Sequence, residues 1–441
     1  MAATASNRTD PMSSPYDVAV LGAGVAGLTA AYRLRDLDVI VIDADSHVGG
    51  RTLSQQFDDG SWANFAAQYV SNDKLKVFEL ADELDLDLIP SGFHSDSSRV
   101  AGNDDLKRAL APWLEKLNDE MARPRPADAA ELDGLTVAEW LEGAPDSVHD
   151  YFELWCGQLL FASNMETSLH GLMLVWGDQR VTPFTTEQVP RSNRGEVVFK
   201  GGTNTFTRAL AKASGATIET ETLVIAVEES EGLCRVVVEG PSGDRTIEAR
   251  HVISALPGTV ARDVIRHLPP AKVKALSRVR YGCNIATPIS VLPEGQTVEP
   301  LPLVPSRHSA IYCSNDYVLR TPGDIARDGG CFHAYIHDSH ARVVWDDDPA
   351  SIRSGAWRSF AAAFPELADR VHHIGFKRWR HALPHRHAGR MADEEVLKAS
   401  CGAIHFCGDY TWTSNMDGAA RSGEAAAQRV RDTLSTSGNP T

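Results

Sequence analysis

The chain has 441 residues, 43% hydrophobic and 23% charged, which makes it a globular protein too long for one ordinary core, so two domains are expected. A net charge of −16 argues against nucleic acid or an anionic membrane surface as partner. The seven cysteines form no C-x-x-C and no zinc-like ligand set, and no apolar run is long enough to span a membrane; a reduced, cytoplasmic chain without a metal is expected.

The first fifteen residues are polar and small, without the apolar core of a signal peptide, and are expected to be a disordered leader. Val18 to Leu21 then reads as a buried strand, Val25 to Leu34 as an alanine-rich helix, and Val39 to Ile42 as a second strand ending at Asp43. Between the first strand and the helix stand Gly22, Gly24 and Gly27, spaced G-x-G-x-x-G, with Ala23 and Ala26 between them. In that setting the first glycine permits a tight turn. The second lets a pyrophosphate approach the backbone, and the third lets the helix lie close to the sheet. Asp43, 21 positions after Gly22, stands where an acid bonds a ribose hydroxyl, with Ala44 beside it. The turn Gly49-Gly50 is followed by Arg51 and Thr52, and the arginine is well placed to bond a phosphate bidentately.

A strand pair about the Asp58-Asp59-Gly60 turn and an amphipathic helix over 74–86 come next. From 90 to 190 strands are scarce and helical periodicity prevails; the aromatic- and Met-rich segment here includes Trp176, a candidate pocket residue. From Gly195 the pattern is strand, glycine turn, helix, then the strands of a meander from 216 to 257 containing Val224, with another apolar run at Val252 to Leu256. Lys272 and Lys274 read as surface residues of a helix. From 281 to 379 strands alternate with a helix. Tyr312, His333, Tyr335, His337 and Trp379 are further pocket candidates. His333 and Tyr335 share a strand face, which makes them candidate catalytic residues, with His333 as base or substrate anchor. The chain closes with a strand, a glycine turn and a long alanine-rich helix.

Nucleotide-type elements thus occupy three separated pieces. Four stretches together resemble the flavin-containing amine oxidase superfamily over nearly the whole chain, Tyr16 to about Val430. They are the dinucleotide turn with Asp43; Gly49-Gly50-Arg51-Thr52; Lys200-Gly201-Gly202-Thr203; and Phe406-Cys407-Gly408-Asp409 with Met416-Asp417-Gly418-Ala419 and Ser422-Gly423-Glu424. The resemblance implies a two-domain α/β fold: a discontinuous Rossmann-type FAD domain (14–90, 195–285 and 385–436) and an α+β substrate domain (91–194 and 286–384), with flexible tails at 1–13 and 437–441. It implies FAD held by Gly22, Ala23, Gly24, Ala26, Gly27, Asp43, Ala44, Gly50, Arg51, Thr52, Val224, Gly408, Asp409, Met416 and Ala419. In this arrangement Val224 meets the adenine and a helix beginning at Met416 faces the flavin pyrimidine edge, where its dipole stabilises reduced flavin.

The sequence also departs from the pattern. Ala286 stands where many of these oxidases carry a lysine that assists reoxidation by O2. Asn415 stands where an aromatic ring flanks the substrate, and the loop after Trp379 holds His381, His385 and His387 but no cysteine for attachment of FAD. Its Trp-x-x-Ala-x-Pro pattern looks more like the desaturase and protoporphyrinogen-oxidase branch. Non-covalent FAD, oxidation of an amine or amino-acid-derived small molecule by hydride transfer, and O2 or another electron acceptor are expected, with Trp176, Trp379 and Asn415 near the substrate. The alternatives are a dehydrogenase or desaturase of a specialised metabolite and a non-redox flavin enzyme such as an isomerase. A homodimer is the candidate assembly.

Overall fold

The structure is a computed structural model and describes residues 14–56, 62–70, 75–90, 104–122, 129–177, 197–241, 243–291, 304–305, 310–312, 330–336 and 338–437. Residues 1–13 of the leader, the turn at Asp58-Asp59-Gly60 and His337 lie outside the described residues.

The glycine-rich stretch folds as strand β1 (Tyr16–Leu21), the helix Val25–Arg33 and strand β2 (Val39–Ile42). Strands β3 (Ser54–Gln56) and β4 (Trp62–Asn64) pair antiparallel. Strands β5 (Leu88–Pro90) and β6 (Val197–Phe199) pair across the helical stretch, whose longer helices are Asp104–Ala122, Asp146–Leu159 and Leu169–Gly177. Then come β7 (Thr217–Glu219), β8 (Leu223–Ser230), β9 (Leu233–Glu239) and β10 (Arg245–Ser254). The next group is β11 (Tyr281–Ala286), β12 (Ile289–Val291), β13 (Val304–Pro305), β14 (Ala310–Tyr312) and β15 (Gly330–Ile336). Strands β16 (Val371–Ile374), β17 (Lys377–Pro384) and β18 (Ile404–Phe406) complete the set, and the helix Met416–Ser437 follows.

Among the described residues these strands form two seven-stranded sheets besides the β3–β4 and β5–β6 pairs. The first runs β7-β2-β1-β10-β9-β8, with β18 also on β10. Val18 to Leu21 of β1 are buried because both faces of this sheet are covered. Val18 and Val20 enter a core with the helices Val25–Arg33 and Met416–Ser437, whereas Ala19 and Leu21 enter a second core under the β8–β9 side. The second sheet runs β13-β14-β15-β11-β17, with β12 joining β15 to β16. Strand β11 crosses residue 285, the boundary expected between the domains, and belongs wholly to the second sheet.

Three local expectations change. The helix expected over 74–86 is Leu75–Glu83, and Asp85 takes a left-handed turn with φ 53° just past it. The apolar run at Val252 is no separate strand but the end of β10. Its first half pairs antiparallel with β9, and its second half pairs parallel with β1 and β18. Lys272 is not on the surface: it is 2% exposed. Its ammonium donates to the carbonyls of Val396 (2.7 Å), Leu397 (2.9 Å) and Ala399 (2.6 Å), which close the end of the helix Glu394–Lys398, and lies 3.7 Å from the Phe406 ring centre. A cation there satisfies carbonyls that have no intrahelical partner.

Two predictions follow from this packing. Lys272→Met keeps the length of the stem and strips the carbonyls of their donor; urea unfolding should show a loss of about 1–3 kcal/mol. His405 lies buried against His251 (Nε2 to Nδ1, 3.4 Å) and Ser400, and burial pushes it down from 6.5 to about 4. Because its folded value is depressed, the unfolded chain takes up the proton first. Stability should therefore be complete above 6.5 and fall as the pH drops from there toward 4. Urea midpoints measured at about pH 7 and about pH 5 check this, and His405→Gln should shrink the difference.

Candidate functional site

The parallel strands of the first sheet end together at one edge, and loops from the start, middle and end of the chain meet there. The turn after β1 is tightened by Gly22 N donating to Ile42 O (2.7 Å). A Cβ on Gly27 would stand 2.0 Å from Gly22 O, so only glycine lets the helix Val25–Arg33 start this close to the turn. At Gly24, by contrast, an added Cβ would meet nothing within 4 Å. The turn therefore leaves open space beside Gly24. The neighbouring loop closes on it, with Gly49 N donating to Ala23 O (2.7 Å) and Thr52 Oγ1 to Gly49 O (2.9 Å).

Asp43 ends β2 and accepts from Ala23 N (2.6 Å) and Asp45 N (2.8 Å), one bond on each oxygen. Burial raises its carboxyl above the usual carboxylate range. It braces the turn and keeps lone pairs for a hydroxyl. Ala44 beside it is exposed, and Val224 is buried in β8 opposite Val238.

Arg51 makes the strongest link in the site. It donates from both terminal nitrogens to Asp409 (2.7 and 3.0 Å) and from Nη1 to the carbonyl of Ala382 (2.7 Å). Ala382 is available because β17 bulges: Arg380, His381 and Ala382 stand opposite Cys283 alone, between the pairs Gly282–Leu383 and Asn284–Trp379. The same bulge turns His381 toward Thr259 (3.3 Å) and sets its ring edge-on to Tyr281, centroids 5.0 Å apart. Burial, and next to it the Arg51 charge, hold His381 below its usual range. The Tyr281 hydroxyl accepts from Gly258 N (2.9 Å).

The helix Met416–Ser437 points its N-terminus into this region. Asn415 caps it, accepting on Oδ1 from Gly418 N (2.8 Å). That engagement gives the asparagine a structural role at the position where the resemblance implies an aromatic ring. Gly408 N donates to Ser422 Oγ (2.9 Å), which fixes the Gly408–Asp409 turn on the helix. Met416 and Ala419 are half-buried at its first turn.

Beside the Ala382 carbonyl lies an apolar cluster: Ala63, Phe65, Ala286, Trp379 and Ala382, edged by Leu53, Ala66, Phe161 and Tyr335. Trp379 Nε1 donates to Phe65 O (2.9 Å), and Lys377 Nζ lies 4.9 Å from the Trp379 ring centre. Ala286 is 1% exposed and stands between Tyr335 of β15 and Lys377 of β17. The Tyr335 hydroxyl donates to Ala66 O (3.0 Å) and accepts from Gln68. His333 lies on β15 opposite Tyr312, and Trp176 lies in the helix Leu169–Gly177; the side chains of these three fall outside the described residues.

The site thus brings together Gly24, Asp43, Arg51, Asp409, Trp379, Tyr335 and Ala286. Tyr281, His381, Ser422 and Phe161 join it; His381, Tyr281 and Ser422 stand in stretches already quoted from the sequence, but their contacts arise across the fold, and no local pattern marks Phe161. Among the described residues no group of three or more side chains is arranged to hold a metal ion, and no helix is long and apolar enough to cross a membrane.

The model of a family described as flavin containing amine oxidoreductase matches residues 25–431. The human flavin-containing amine oxidase B is 27% identical over 301 residues, 62% of this chain and 57% of that protein, so the chain spans under two thirds of that relative's length. A probable flavin-containing monoamine oxidase A of Dictyostelium discoideum is 23% identical over 96% of this chain and 99% of its own. The solved cyclohexylamine oxidase of Brevibacterium oxydans superposes with a TM-score of 0.75 at 20% identity, covering 96% of this chain and all of its own, which establishes a shared fold. With its glycine turn, its Arg51–Asp409 pair and a family match over nearly its whole length, the chain belongs to the flavin containing amine oxidoreductase family.

Proposed function

We propose that the protein binds FAD without a covalent link and oxidises a small, largely apolar amine. The observation that carries this reading is the adjacency of a dinucleotide cradle and an apolar cluster, joined at Ala382, in a chain of this family. The residues fit the cofactor: the open space over Gly24 admits a pyrophosphate, and Asp43 retains acceptor capacity for a ribose. In this reading Gly22, Ala23, Gly24, Ala26 and Gly27 form the phosphate turn, with Asp43, Ala44 and Val224 around the adenosine. Gly50, Arg51, Thr52, Gly408 and Asp409 hold the middle, and Met416 and Ala419 face the flavin end. Bound FAD would supply a two-electron acceptor.

The chain's own residues do the rest. The helix N-terminus at Met416 favours negative charge on its ligand. Ala63, Phe65, Ala286 and Trp379 exclude water and receive the carbon skeleton of the substrate, which favours the neutral, electron-donating form of an amine. His381 is held neutral beside Arg51, so it adds no second cation there at neutral pH.

A second reading, a dehydrogenase that passes electrons to an acceptor other than O2, is favoured by Ala286, a buried methyl group where an ammonium would assist reoxidation. Anaerobic mixing of the purified yellow protein with apolar amines should bleach the visible flavin band. If only non-amine substrates bleach it, the amine reading fails; if product forms with no bleaching by any substrate, a non-redox role replaces it. Readmitting air separates the two redox readings. Prompt return of the yellow colour with stoichiometric peroxide marks an oxidase, and slow return without it marks the dehydrogenase. Arg51→Ala removes three charge-assisted bonds and leaves Asp409 unpaired. FAD retention through gel filtration should fall at least about tenfold, equivalent to about 1.4 kcal/mol.

A further inference from the structure

Phe161 has φ 49°, a left-handed backbone in which a bulky aromatic residue is an outlier. It follows the end of the helix Asp146–Leu159, where glycine would make the same turn without cost. Here the conformation is clamped from two sides, by a residue just past β17 and by one on β11. On β17's side, His385, 4% exposed, donates from Nε2 to the Phe161 carbonyl (2.8 Å). On β11, Gly282 lets the segment approach: a Cβ there would stand 2.4 Å from Phe161 O and 2.5 Å from Phe161 Cβ. The clamp presents the Phe161 ring to Tyr335, edge to face, centroids 6.4 Å apart. Both rings lie at the half-buried rim of the cluster that touches Arg51 through Ala382. A turn that only ended a helix would need neither the ring nor the two clamps.

We propose that Phe161 is a specificity-determining residue whose ring, with Tyr335, limits the width of the carbon skeleton admitted to the apolar cluster, and that His385 is the positioning residue that fixes it. The inference rests on the amine reading for its substrate class, and it narrows that class to slim apolar amines such as an unbranched alkyl or single-ring amine. Fused-ring amines meet the Phe161 ring.

The test is a preference ratio: kcat/KM for 1-naphthylmethylamine over that for benzylamine, with FAD content recorded for each variant. Phe161→Gly removes the ring while suiting the left-handed backbone, so folding is not the obstacle. It should raise the ratio about tenfold or more. Phe161→Tyr should leave the ratio unchanged. His385→Ala should raise it in the same direction, His385→Gln should restore part of the wild-type value, and the double variant Phe161→Gly/His385→Ala should show no further rise, because the two act through one ring. A lost hydrogen bond that mattered only for stability would lower the melting temperature without moving the ratio. An unchanged ratio in Phe161→Gly with FAD bound, or additive effects in the double variant, overturns the proposal. If no amine bleaches the wild-type flavin, the amine reading has failed separately. The wall is then judged by the ratio of dissociation constants for 1-naphthalenemethanol and benzyl alcohol, read from perturbation of the flavin spectrum, with the same expectations for each variant.

Discussion

The guanidinium of Arg51 ties the loop after the first sheet's second strand to the last loop of the chain and to β17. Its two bonds to Asp409 join residues 358 positions apart, and its third reaches the carbonyl of Ala382, in the bulge of β17. The Asp409 side chain is 6% exposed and that of Arg51 35%. The carboxylate has therefore lost most of its water and depends on the arginine for charge compensation. Planar, bidentate geometry makes this pair directional as well as attractive, so it sets the angle at which the last loop meets the first. The glycine turn, the cap at Asn415 and the bulge in β17 all lie around this one group.

The chemistry divides along the same line. On one side of Arg51 the groups are polar and mostly backbone, suited to phosphates and ribose. On the other they are alanines, phenylalanine and tryptophan, suited to carbon. Ala382 belongs to both: its methyl group is in the apolar cluster and its carbonyl is on the arginine. In the proposed reading, such a boundary would place the reacting end of the cofactor where water is scarce.

What was legible in the sequence was what local chemistry dictates. The turn through Gly22, Gly24 and Gly27 reads directly, because the need for a missing Cβ at Gly27 is a property of the turn itself. The first helix and both flanking strands were readable from periodicity for the same reason. Lys272 read as a surface residue because a lysine on an amphipathic helix ordinarily is one. The three carbonyls that bury it come from residues 396 to 399, more than a hundred positions away. Strand β10 looked like two strands because its two halves face different partners. Asn415 was visible as a departure from a pattern, but its cap was not, since the helix start and the departure coincide. The clamp on Phe161 was hidden for a similar reason: its components come from a helix end, a strand glycine and a loop histidine that only the fold assembles.

The double character of β10 has a consequence for how the chain acquires its structure. The half that pairs with β9 has its partner a few residues upstream and can zip up as soon as both have been made. The half that ends at Ser254 waits for β18; His251 and His405, which touch across that pairing, are 154 residues apart. During synthesis this edge stands open, with unpaired backbone groups and apolar side chains, while the whole second sheet is still being produced. The interval is a window for misassembly. A substitution that slows the second sheet would then lower the yield of folded protein through the first sheet, without altering any contact in it.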